Sequence, residues 1–182
     1  MARRKARKPR PPLTREALDE LALAYVGRFS TTRAKLASYL ARKLREREWA
    51  GELPPDVNSV VERLAGLGYV DDAAYALSRS RALTGRGYGA RRVRQSLRAA
   101  GVEEEDSRDA EELAEAEAVE AALRFARRRR LGPFGGGAKD RSAIERALAA
   151  MIRAGHSFAL AREILSLEPG SEVDIESLAK RA

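Results

Sequence analysis

The chain is 182 residues long and carries 35 lysine and arginine side chains against 27 aspartate and glutamate side chains, so its net charge is +8 and its pI is about 10.2. This balance favours nucleic acid or an acidic protein surface as the partner over a neutral metabolite. The sequence has no cysteine, which excludes disulfides, thiolate nucleophiles and cysteine-based zinc sites.

The sequence contains no apolar run of about eighteen residues, the length that a membrane-spanning helix needs, and its start lacks the apolar core of a signal peptide. We therefore expect a soluble cytoplasmic protein with no membrane partner. Residues 1–13 combine six basic side chains with three prolines and almost no apolar surface. This composition predicts a disordered basic tail.

A first helical repeat is predicted over residues 14–68. Its first helix begins after Thr14, its second after Ser30 and its third after Asp56, all residues that cap helix N termini. The second helix repeats a leucine every four residues, and the third has apolar residues at the spacing of one helix face.

A second repeat is predicted over residues 69–114, and a third over residues 115–168. In the second repeat, Asp71 and Asp72 stand where a helix begins, and a glycine-rich corner at residues 85–89 leads into the next helix. Acidic residues dominate from Glu103 to Glu120, and we expect a solvated helix face there, or alternatively a contact for a basic partner. Residues 169–182 are predicted to form a flexible tail, with at most one turn of helix near Ile175 to Leu178.

Helical triplets thus return about every fifty residues. Their second helices align as Leu36, Leu40, Leu44, then Val93, Leu97, Gly101, then Ala147, Met151, Gly155. Units this small bury little apolar surface alone and gain stability by stacking. The predicted fold is all-α, with three tandem three-helix repeats forming an elongated, curved array; a single globular helical bundle is the alternative.

Arginine is concentrated in the second repeat, where no carboxylate follows Asp72 until Glu103. Such grouping indicates a contact surface for an anionic partner. On the second helix of this repeat, three arginines share one narrow exposed stripe. The candidate contact residues are Arg79, Arg81, Arg86, Tyr88, Arg91, Arg92, Arg94 and Arg98.

Other candidate sites do not meet the requirements of their chemistry. The stretch from Gly132 to Lys139 resembles a phosphate-binding loop, but the lysine is misplaced and no serine or threonine follows, so we interpret Gly132–Gly137 as a linker. The single histidine, His156, has no second histidine for metal or base chemistry, and we expect it to cap a helix C terminus or to lie at the surface. No cofactor, no metal and no enzymatic activity are expected.

The run GYVDDAAYA at residues 68–76 and the run YGARRVRQSLRAAGV at residues 88–102 together resemble the signature of the RecX family. The first element is a glycine, two apolar residues and two aspartates, and it precedes a helix with an aromatic residue at Tyr75. The second element has its characteristic residues at Gly89, Val93, Leu97, Gly101 and Val102. The chain departs from the family pattern at Lys35, in a longer loop at residues 46–55, and at His156, where an aromatic residue is usual.

The resemblance implies a regulator of the recombinase RecA. It implies a helical-repeat protein that lies along the groove of a RecA filament on single-stranded DNA and lowers the ATPase, strand-exchange and coprotease activities of RecA. The expected partners are the RecA filament and the single-stranded DNA within it, with free DNA bound at most weakly, and the expected state is a monomer. Two other classes stay open: a sequence-independent nucleic-acid-binding protein that acts without RecA, and a helical adaptor for an unrelated acidic protein.

Overall fold

The computed structural model describes residues 11–136 and 140–181, and in these ranges the fold is all-α. The remainder of the chain, residues 1–10, 137–139 and 182, holds most of the predicted basic tail and the end of the predicted linker. None of the described helices is long and apolar enough to cross a membrane. The helices are α1 (Arg15–Val26), α2 (Arg33–Glu46), α3 (Val57–Gly66), α4 (Asp72–Gly85), α5 (Ala90–Ala99), α6 (Glu104–Ala116), α7 (Ala118–Arg129), α8 (Arg141–Arg153), α9 (Phe158–Ser166) and α10 (Ile175–Arg181), with a short 3-10 helix at Gly132–Phe134.

The helices form two compact units that meet in sequence between Asp71 and Asp72. In the first unit, α1, α2 and α3 pack around a core that includes Leu18, Leu36, Leu40, Val61 and Leu64. In the second unit, α4, α5 and α6 share a core that includes Ala76, Val93, Leu97, Ala110 and Ala114. A further core in this unit joins α7, α8, α9 and α10 and includes Phe125, Met151, Leu160, Ile164 and Leu178. Three cores follow one another along the chain, the first two built from three helices each and the third from four, because α10 joins it. The predicted all-α helical-repeat fold is confirmed.

Local sequence sets the helix starts. The side chains of Thr14, Asp56 and Asp140 accept hydrogen bonds from backbone N–H groups in the first turns of α1, α3 and α8. For α2 the cap is Thr32, whose Oγ1 lies 3.2 Å from the backbone nitrogen of Lys35, and not Ser30 as the sequence suggested. The prediction was displaced by two residues because both positions carry a hydroxyl that can cap.

The two ends of the described chain are more ordered than the sequence indicated. Leu13, which we assigned to the tail, is fully buried. Its backbone N–H donates to the carbonyl of Glu48 at 2.7 Å, and its carbonyl accepts from the N–H of Ala50 at 2.9 Å. At the other end, α10 replaces the expected flexible tail. It is held because the side chain of Leu178 is buried against α7 and α9, and the carboxylate of Asp174 caps its first turn.

In the second unit, α5 and α8 meet backbone to backbone. The N–H groups of Gly89 and Arg91 donate to the carbonyls of Ala154 and Gly155 at 3.0 and 3.2 Å. These bonds join the positive N-terminal end of α5 to the negative C-terminal end of α8, and they satisfy groups that helix ends leave unpaired. We call this contact the glycine seam, since it depends on Gly89 and Gly155 lacking side chains. The seam fixes the direction in which α5 presents its outer face.

His156 lies beside the glycine seam and is only 2% exposed. We expected it either to cap a helix C terminus or to lie at the surface, and the surface position is wrong. Its Nε2 donates to the carbonyl of Gly87 at 3.2 Å, and its ring meets Phe125 edge-on with 5.5 Å between centroids. Its buried Nδ1 has no hydrogen-bond partner within the described ranges. Burial lowers the pKa of His156 from 6.5 to about 4, and the Gly87 carbonyl opposes this shift only in part.

This histidine should make the second unit sensitive to mild acid. The unfolded chain titrates near 6.5 and the folded chain near 4, so between these values the unfolded state binds more protons. The stability that the protein gains by burying neutral His156 is therefore fully present above pH 6.5 and is lost as the pH falls from 6.5 to about 4. Below pH 4 no further stability is lost through this residue. From about pH 7.5 to about pH 5, we expect the free energy of unfolding to fall by about 2 kcal/mol more for the native chain than for His156→Phe. Denaturant unfolding at both pH values measures this difference, and equal losses in the two proteins would contradict it.

Candidate anion-binding surface

The corner between α4 and α5 is built on Gly87. Its φ of +79° is a conformation that favours glycine, and a Cβ there would lie 2.9 Å from the backbone nitrogen of Phe125 on α7. The chain turns at this residue into α5, where Val93 and Leu97 are buried in the core of α4–α6. Because the helix repeats every 3.6 residues, the arginines next to these apolar positions in sequence are directed away from the core.

The outer face of α5 carries two exposed arginines, Arg91 and Arg98, as the sequence predicted. Neither side chain forms a hydrogen bond or an ion pair within the described part of the chain. Two arginines at the side of this face are held locally: Arg92 donates to Gln95 Oε1 at 2.7 Å, and Arg79 of α4 donates through Nε to Ser96 Oγ at 2.9 Å. We call Arg91, Arg94 and Arg98 the α5 stripe.

Arg94 differs from the other members of the α5 stripe because it has internal partners. Its Nη1 lies 3.0 Å from Glu115 Oε1 and 4.0 Å from Glu111 Oε2, both on α6. The acidic segment that we expected to be a solvated helix face therefore supplies a counter-charge to one arginine of the α5 stripe. The pair is partly exposed, so it adds only about 0–1 kcal/mol to stability and can exchange with an external anion.

The remaining predicted residues, Arg81, Arg86 and Tyr88, do not join the α5 stripe. Arg81 is exposed near the end of α4. Arg86 lies 5.8 Å from the centroid of the Tyr88 ring, and its backbone carbonyl accepts a hydrogen bond from Nη1 of Arg128 on α7. The structure thus divides the eight candidates between the surface of α5 and the end of α4.

Sequence reasoning missed the arginines that α7 brings to the end of α4. Arg124 donates through Nη1 to the carbonyl of Thr84 at 3.0 Å, and Arg128 reaches the carbonyl of Arg86. The signal was present as the run Arg127–Arg130, although such a run also suits the C terminus of a helix and by itself indicates no binding site. What the sequence did not show is that this run lies beside the basic second repeat.

The chemistry available on these surfaces is anion binding. Guanidinium groups are permanently charged and offer several donors in a plane, which suits phosphate and carboxylate groups. Within residues 11–136 and 140–181, no three histidine, aspartate or glutamate side chains are placed to hold a metal ion.

Comparison with known proteins places this surface in a family-specific region. Residues 71–110 match the family model described as "RecX, second three-helix domain", and all eight predicted contact residues fall within this range. The crystal structure of RecX from Lactobacillus salivarius has a TM-score of 0.59 at 19% identity, over 82% of this chain and 92% of that one. A second crystal structure of a regulatory protein RecX gives the same TM-score at 24% identity, over 82% of this chain and 70% of that one. These two likenesses support the helical-repeat fold.

Two relatives extend the comparison beyond the central repeat. Regulatory protein RecX of Deinococcus radiodurans is 40% identical over 95 residues, which cover 52% of this chain and 44% of the relative. Regulatory protein RecX of Myxococcus xanthus is 32% identical over 178 residues, which cover 92% of this chain and 95% of the relative. Identity at this level over nearly the whole of both proteins shows that the chain belongs to the RecX family of regulatory proteins.

Proposed function

We propose that this protein binds the RecA filament on single-stranded DNA and restrains the ATPase, strand-exchange and coprotease activities of RecA. It acts in the cytoplasm as a monomer, without a cofactor and without catalysing a reaction of its own. Family membership supports RecA as the target. The observation that carries the proposal is the exposed α5 stripe, in which Arg91 and Arg98 have no internal ion pair among the described residues.

The physical basis is electrostatic. A filament on DNA presents phosphate groups, and guanidinium groups bind them with loss of counterions. The protein restrains RecA by occupying the filament. When it is bound across successive RecA subunits, it impedes the addition and the exchange of those subunits. Arg94 can join the contact by exchanging Glu115 for a phosphate, because its present ion pair is partly exposed and weak.

The direct test is to measure RecA ATPase and filament length on single-stranded DNA while this protein is titrated in. We expect both to fall and to reach a plateau at a ratio below one protein per RecA subunit. A constant ATPase and constant filament length at every ratio would contradict the proposal.

The class of nucleic-acid-binding proteins that act without RecA gives a different result in the same assay. In that case the affinity for DNA is equal with and without RecA, and added free single-stranded DNA abolishes the effect. Tighter binding to RecA-coated DNA than to bare DNA, and inhibition that survives a competitor strand, distinguish our proposal from this alternative.

A further inference from the structure

A second group of arginines lies apart from the α5 stripe, where the end of α4 meets α7. We call it the α4–α7 corner. All its side chains are exposed and none forms an ion pair within the described ranges. Its members are Arg86, Arg124, Arg127, Arg128 and Arg129.

The α4–α7 corner is held together by contacts other than ion pairs. Arg124 and Arg128 donate to the last carbonyls of α4 and of the turn after it, where the negative end of the helix dipole offsets their charge. Arg127 lies over the ring of Phe134 at 4.9 Å, and Arg129 lies 5.8 Å from the ring of Phe125. Backbone and rings therefore position these guanidinium groups, and their charge is left for an external anion.

The corner unites two parts of the sequence that lack carboxylates. No aspartate or glutamate occurs between Asp72 and Glu103, or between Glu120 and Asp140. The fold brings the two stretches together at Arg86 and Arg128. The result is a concentration of positive charge whose mutual repulsion is relieved when a polyanion binds.

From this geometry we propose that the α4–α7 corner is a binding site for single-stranded nucleic acid that does not require RecA. The guanidinium groups that α7 brings to the end of α4 match a chain of phosphates. The guanidinium carbons of Arg86 and Arg127 lie 5.8 and 4.9 Å from the centroids of the Tyr88 and Phe134 rings. Guanidinium groups and aromatic rings are surfaces on which an unpaired base can stack, whereas a duplex keeps its bases from such contacts. The site extends the proposed function, because a chain with both the α4–α7 corner and the α5 stripe can hold a nucleic-acid strand and a second anionic partner at the same time. It does not depend on the proposed function, because nucleic-acid binding at the corner requires no RecA.

The test is binding of a fluorescent oligothymidylate in the absence of RecA, followed by anisotropy over a range of salt. The variant Arg86→Gln/Arg127→Gln/Arg129→Gln removes three charges whose described contacts are only with aromatic rings. Its matched control is Arg146→Gln/Arg153→Gln/Arg162→Gln, which removes three exposed charges from α8 and α9. Each phosphate contact on a single strand contributes about 0.7 to the salt slope, so the corner variant should lose about 2 units of slope and at least about tenfold in affinity near 0.1 M salt. The control should lose less than about threefold.

Three results would overturn the inference: no binding of the oligonucleotide by the native chain at low salt, equal losses in the two variants, or a corner variant that binds like the native chain. Preference for an equally long duplex over the single strand would also contradict it. Circular dichroism of both variants verifies that they are folded. Because RecA is absent from this assay, its outcome is independent of the ATPase titration, and either proposal can fail alone.

Discussion

Replacing Gly155 by alanine is expected to lower the free energy of unfolding of the second unit by about 3 kcal/mol or more. Gly155 has a φ of +98°, and a Cβ there would lie 2.5 Å from the backbone nitrogen of Arg92 and 2.6 Å from its Cβ. The left-handed conformation and the collision each cost about 1–3 kcal/mol. The collision cannot be relieved by a side-chain rotation, because the atoms it meets belong to the backbone and Cβ of α5.

Gly85 provides the matched control. It ends α4, and a Cβ at this position would meet no atom within 4 Å apart from its chain neighbours and the backbone of α4 itself. Gly85→Ala should leave stability unchanged or raise it by about 0.5–1 kcal/mol, because alanine is favoured over glycine in a helix. Urea unfolding of both variants, with hydrogen exchange of the α5 amides, compares them. A Gly155→Ala protein as stable as the Gly85→Ala protein would show that the glycine seam does not hold α5 to α8.

The seam also shows what the sequence could and could not reveal about the fold. The buried positions of the second helices, such as Leu36 and Leu40 in α2 or Val93 and Leu97 in α5, follow from periodicity alone, since one apolar face must be covered. Gly155 directly follows the C-cap of α8, where glycine commonly ends a helix. That its backbone also touches Gly89 depends on how two helices meet, and spacing within one segment contains no information about that contact.

The same distinction applies to the surface. The exposure of Arg91 and Arg98 could be predicted because it depends on the pattern of one helix. The pairing of Arg94 with Glu115 could not, since it requires that α6 pack beside α5. The α4–α7 corner escaped prediction for the same reason, although the run Arg127–Arg130 was visible. Properties that belong to one helix were predictable, and properties that arise between helices were not.

The α5 stripe leads to the largest functional effect that we expect. The variant Arg91→Ala/Arg94→Ala/Arg98→Ala should raise the concentration needed for half-inhibition of RecA ATPase by at least about tenfold near 0.1 M salt, since three phosphate contacts contribute about 2 units of salt slope. Its unfolding free energy should change by only about 0.5–1 kcal/mol, because the side chains are exposed or partly exposed and the ion pair of Arg94 is weak.

Single variants of this stripe separate the roles of its members. Arg98→Ala should weaken inhibition more than Arg94→Ala, since Arg98 has no ion pair among the described residues and Arg94 must first leave Glu115 and Glu111. The control Arg146→Ala/Arg153→Ala/Arg162→Ala lowers the net charge by the same three units on α8 and α9 and should inhibit almost as well as the native chain. If the folded stripe variant inhibits RecA as well as this control, the contact lies elsewhere on the protein. If both lose inhibition equally, net charge and not the position of the arginines on α5 determines binding to the filament.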